Sequence, residues 1–131
     1  VRSFPTRRSS DLTLFRHVSP SGVVTLILQY CRTDHITGLG IEERLPEGWQ
    51  FTNWVSDTRP DLGPASGAQG TLTMAWFNIP TFPVTLSYRV TAPSLPTECE
   101  VFRGQVLYRT YGPEFRSKVV ATPVRLGEGG E

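Results

Sequence analysis

Residues 38–55, GLGIEERLPEGWQFTNWV, decide the fold. In the first half Leu39, Ile41 and Leu45 share one parity and Glu42 and Arg44 hold the other, the period-two pattern of a half-buried strand. Pro46-Glu47-Gly48 then reverses the chain. Proline holds φ near about −65°, and a glycine two positions on accepts the positive φ that a type II turn requires. Beyond the turn Trp49, Phe51 and Val55 point one way and Gln50, Thr52 and Trp54 the other, which makes Trp49 a core side chain and Trp54 an outward exception. Glu43 falls on the inward parity. An unpaired buried carboxylate is costly, so Glu43 either sits where the strand bends, pairs with an arginine, or lies near the mouth of the fold. Each of these roles is structural rather than catalytic.

The same grammar runs outward from this stretch. Residues 13–18 read as a first strand, and residues 23–30 set Val24, Leu26, Leu28 and Tyr30 inward against Thr25 and Gln29. Leu72, Met74 and Trp76 alternate with outward Thr71, Thr73, Ala75 and Phe77, and residues 84–91 give the cleanest alternation of the chain. Residues 99–110 form a long strand with Phe102, Val106 and Tyr108 inside. Gly104 shares that parity, where a missing side chain leaves room for a neighbouring ring such as Trp49 or Trp76. Residues 117–126 form the last strand, and Pro123 marks it as an edge. Residues 56–70 have no period and approach the length limit of about 12–15 residues for structureless loops, so they read as a plain connection.

With 12 Gly and 11 Pro among 131 residues, few windows are long enough for a helix, and the chain reads as all-β. About seven short strands with regular turn signals predict an Ig-like antiparallel β-sandwich. A content of 38% hydrophobic and 19% charged residues suits a soluble globular domain and excludes a membrane helix.

Residues 3–12, SFPTRRSSDL, resemble the translation of a sequencing-library adaptor. Residues 1–12 are therefore expected to be a disordered stretch foreign to the natural protein, residues 13–126 the sandwich domain, and residues 127–131 a flexible linker. Without the three Arg and one Asp of residues 1–12 the net charge moves from +1 to −1. Neither value draws the chain toward nucleic acid or acidic lipid.

No reaction is spelled out. A Ser or Cys nucleophile needs a base, and only His17 and His35 supply imidazole, with no nucleophile motif beside them. Glu42 and Glu43 are adjacent on a strand and point to opposite faces, so they form no acid pair. There is no zinc-ligand spacing; Asp57 and Asp61 in the long loop are the carboxylates that a calcium ion would have to use, and no metal or cofactor is expected. Cys31 and Cys99 flank strands that run in the same direction in an Ig-like Greek key, which places them at opposite ends. Two thiols are expected, since a bridge needs Cα atoms within about 7 Å.

The order of features resembles the repeated Ig-like domains of bacterial and archaeal surface proteins of the Leu-Pro-x-Gly type. Residues 40–43 match the strand that enters the turn, residues 45–48 the Leu-Pro-x-Gly turn, and residues 49–55 the aromatic strand that leaves it. Residues 56–70 match the variable loop, residues 73–77 the Trp-bearing strand, residues 79–83 the Pro-containing turn, and residues 85–91 the strand Thr-Leu-x-Tyr-x-Val-Thr. The match spans about half the chain, and residues 99–126 depart from it. This resemblance implies a non-catalytic module of a secreted or surface-anchored bacterial protein, a spacer or adhesion domain that contacts neighbouring domains or another surface protein, with no cofactor, nucleic acid or membrane insertion. The alternative is a carbohydrate-binding module of a secreted polysaccharide-degrading enzyme. The residues expected to carry an interaction surface are the outward aromatics Trp54 and Phe77 and the turn residue Tyr111. The competing reading for Trp54 is that the 56–70 loop covers it or that a strand bulge shifts the parity.

Overall fold

A computed structural model describes residues 11–32, 35–93 and 100–124. These form nine strands: β1 (Leu12–Val18), β2 (Val23–Tyr30), β3 (Gly38–Arg44), β4 (Gln50–Trp54), β5 (Thr71–Trp76), β6 (Val84–Thr91), β7 (Glu100–Arg109), β8 (Glu114–Arg116) and β9 (Val120–Val124). One sheet has the order β1-β2-β6-β4. The other runs β5-β3-β7, with β8 and β9 side by side along the far edge of β7. All named pairings are antiparallel. The expected all-β sandwich is observed, with nine strands in place of about seven. The single last strand expected over residues 117–126 is two short ones, because Ser117 turns into the interior and trades hydrogen bonds with the Val106 backbone at 2.9 Å.

The alternating residues meet between the sheets as expected, with Val24, Leu26, Leu28, Ile41, Leu86 and Val106 fully buried. At the Leu-Pro-x-Gly turn the Trp49 amide donates to the Pro46 carbonyl at 3.1 Å, and Gly48 takes φ +86°. That geometry delivers Trp49 into the core, where it meets Phe102 edge-on at 5.3 Å.

Two features differ from the sequence reading. Leu12, expected to lie in the disordered leader, opens β1 and is buried opposite Tyr30, so the sandwich begins before residue 13. Gly104 makes room for an ion pair and not for a ring: a Cβ there would fall on Glu43 Oε1 and 2.6 Å from Arg16 Nη2. Residues 1–10, Cys99 and the 127–131 linker lie outside the described residues.

Both open sides of the sandwich are closed. Residues 55–70 cover the side between β4 and β5: Ala68 and Gly67 pair with the Phe51 backbone at 2.9 and 2.7 Å, and Leu62 bridges Ala75 at the free edge of β5. This segment therefore protects two sheet edges rather than serving as a plain connection. On the other side Arg16 of β1 reaches across to β9, donating to the Val120 carbonyl at 2.8 Å and to Thr122 Oγ1 at 3.0 Å.

Candidate interaction surface

The β3 register places the ends of several strands together. Leu39 faces Trp76 on one side and Tyr108 on the other, so the turns after β5 and β7 emerge at the same end of the sheet. Phe77 leaves β5 there and Tyr111 follows β7, with 71% and 72% of their surfaces exposed. Tyr111 also has φ +69°, a left-handed conformation that is strained for an aromatic residue. Its amide donates to Thr37 Oγ1 at 3.2 Å, which fixes the turn to the β2–β3 connection.

A cleft of about 440 Å³ opens at this end between the β2–β3 and β5–β6 connections, and neither of the two rings lines it. Ile36, Ile79, Phe82 and Tyr30 give it apolar and aromatic lining, and Arg32, His35 and Thr81 add polar groups. A row of rings continues beneath it, Phe82 to Tyr30 at 5.6 Å, Tyr30 to Tyr108 at 5.9 Å, and Tyr108 to Phe115 at 5.4 Å. Asp61 braces this end from the covering segment, accepting the Phe77 and Asn78 amides at 2.6 and 3.2 Å. Its carboxylate is thus engaged with backbone donors. A lining of aromatic and aliphatic groups with a few polar groups suits a partner that buries apolar surface.

Trp54 does not join them. A bulge between Phe51 and Asn53 shifts the register of β4, so Trp54 faces Tyr88 and turns inward. Its ring packs against Phe51 and Tyr88 at 5.3 and 5.9 Å, beneath Pro60 and Gly63 of the covering segment. The outward position expected for it is corrected on both counts named above, the bulge and the cover.

A second constellation is buried and was only half legible. Both Glu43 oxygens are engaged: Oε1 with Arg16 Nη2 at 2.5 Å, and Oε2 with Arg16 Nε and the Tyr88 hydroxyl, each at 2.8 Å. The Arg16 and Glu43 side chains have no exposed surface. Burial pushes the Glu43 carboxyl above its ordinary range, and the Arg16 guanidinium and Tyr88 hydroxyl pull it back. Of the three outcomes open for Glu43, the arginine pair is realised. Arg16 went unremarked, although it shares the parity of the buried Leu12 and Leu14. With both Glu43 oxygens occupied and neither charged side chain exposed, this cluster joins the two sheets.

Among the expected chemical groups, His17 and His35 are both exposed and neither has an acid partner or nucleophile beside it among the described residues. Cys31 is an exposed free thiol. No cluster of three or more His, Cys, Asp or Glu side chains with metal-binding geometry occurs among the described residues.

Solved structures with the same architecture include three bacterial domains. The collagen-binding domain of a Staphylococcus aureus adhesin superposes with a TM-score of 0.53 at 12% identity, covering 89% of this chain and 98% of that domain. A cohesin module from a Clostridium perfringens family 33 glycoside hydrolase gives 0.58 at 12% identity, over 90% of this chain and 96% of the module. The full-length major pilin SpaD of Corynebacterium diphtheriae gives 0.52 at 11% identity, over 85% of this chain but 34% of the pilin. At such identities the likeness establishes the β-sandwich fold. No protein-family model matches the chain, and no curated protein matches its sequence.

Proposed function

We propose that this domain is a non-catalytic Ig-like module of a secreted or cell-surface bacterial protein, which binds a partner through the end that carries Phe77 and Tyr111. The observation that carries this reading is the pair of rings, each more than 70% exposed, at the end of the sandwich that also holds the cleft of Ile36, Ile79 and Phe82. Large exposed rings grouped at one place favour an interface over chance exposure. The architecture shared with an adhesin domain, a cohesin and a pilin supports an interaction module displayed outside the cell. No helix among the described residues is long and apolar enough to cross a membrane.

A carbohydrate-binding role is the less favoured reading, because Trp54, one of the two strand rings it would use, is half-buried against Phe51 and Tyr88. The test is to probe immobilised wild-type domain and the F77A/Y111A variant with a panel of extracellular-matrix proteins, bacterial surface proteins and polysaccharides. Loss of two interface rings should weaken binding by about tenfold or more, with the fold intact. Equal binding by the variant would remove this end from the account. Signal confined to polysaccharides would select the carbohydrate reading.

A further inference from the structure

We infer that the concavity beside the Pro46–Gly48 turn is a second binding site, which holds a carboxylate of an acidic peptide segment between Arg44 and Arg103. It goes beyond the reading above and lies at the opposite end of β3. The two arginines are direct partners in the β3–β7 ladder, both are exposed, and both line a cavity of about 540 Å³. Like charges directly opposed across a sheet destabilise it. On the same sheet Arg109 and Arg116 share Glu114, at 3.1 and 3.5 Å. Among the described residues Arg44 and Arg103 have no such acid. The Arg44 side chain donates to Thr71 Oγ1 at 3.3 Å, and the Arg103 side chain makes neither an ion pair nor a hydrogen bond among the described residues. The nearby acids do not relieve them: Glu42 faces Gln105, Glu47 lines the cavity, and among the described residues neither forms an ion pair with either arginine.

Two guanidinium groups side by side offer forked N–H donors that match the two oxygens of a carboxylate. The remaining lining chooses the ligand class. Leu45, Pro46 and Val101 are aliphatic or cyclic, Gln69 adds an amide, Glu47 sets one carboxylate against the two guanidinium groups, and no aromatic ring is present for a sugar to stack on. An extended peptide with an acidic side chain satisfies the charge, and its backbone amides suit a lining that is mostly polar.

Calorimetric titration of the full chain with a hexaglutamate peptide, polygalacturonate and inorganic phosphate tests this. The peptide is expected to bind, with affinity falling about tenfold in R103Q and further in R44Q/R103Q, and with weakening as salt rises. Both side chains are exposed, so the variants should fold, and R89Q on the other sheet should bind as wild type does. Absence of peptide binding overturns the inference, as does an equal loss in R89Q. Tighter binding of polygalacturonate overturns the peptide assignment, and phosphate binding as tightly as the peptide reduces the site to general anion attraction. F77A/Y111A should leave this titration unchanged, which separates it from the other end.

Discussion

Glu43 is a charged residue at the centre of a hydrophobic sandwich, and its tolerance depends on Arg16, Tyr88 and the space left by Gly104. Removing one partner of a buried pair leaves the other charge uncompensated, at about 3–5 kcal/mol, whereas replacing both with apolar groups is often close to neutral. Glu43→Leu alone should therefore destabilise by about that amount in urea unfolding, and R16M/E43L by much less. Equal losses in the single and double variants would show that the pair is not coupled. Tyr88 adds a pH dependence. Burial, then the charge of Glu43, raises its hydroxyl well above 10. The native state keeps a proton that an unfolded tyrosine releases near pH 10, so this contribution is complete below about pH 10 and is lost as pH rises beyond it. Tyr88→Phe should lower stability by about 1–2 kcal/mol at neutral pH and flatten the alkaline decline seen in thermal unfolding between about pH 9 and 11. Tyr111 behaves oppositely: its left-handed backbone is strained and its ring is free. Tyr111→Gly should raise stability by up to about 1 kcal/mol while weakening the partner, the signature of a residue kept for binding.

At the level of elements, the clearest signals were strands whose alternation needed nothing beyond themselves. β2 and β6 were legible because every inward side chain is aliphatic or a tyrosine ring and the register between them is unbroken. β4 was not, since the bulge between Phe51 and Asn53 is a property of its pairing with β6 and has no residue signature of its own. That one shift moved Trp54 from the expected outward position to a half-buried one against the core. Gly104 was read correctly as a space, but its occupant lies 27 residues apart from its own partner, on β1 and β3. Phe77 and Tyr111 were legible one by one; their shared end required the β3 register. The covering segment also escaped the pattern, because its order comes from hydrogen bonds to β4 and β5 rather than from period. Asp61 is its strongest tie, through two charge-assisted bonds. Asp61→Ala should cost about 1.5–3 kcal/mol, and hydrogen exchange should show the Leu62 and Ala75 amides opening faster while those of β2 stay protected. Unchanged exchange at Leu62 and Ala75 would mean that the segment is held by packing alone.

For the molecule as a whole, the sandwich separates support from contact. Arg16 and residues 55–70 close its two sides, the cores of both sheets are apolar around one buried pair, and the large exposed rings Phe77 and Tyr111 stand at one end. A rigid body with a grouped aromatic end is the form expected of an interaction module, and the turn at Pro46–Gly48 serves it by setting Trp49 into the core at the other end. The most direct measurement is a map of backbone amide shifts by nuclear magnetic resonance on adding the tightest-binding member of the partner panel. Binding at the aromatic end should perturb Tyr30, Ile36, Thr37, Phe77, Ile79 and Tyr111. Shifts confined to the Arg44–Arg103 concavity or to the sheet faces, with the aromatic end silent, would contradict it.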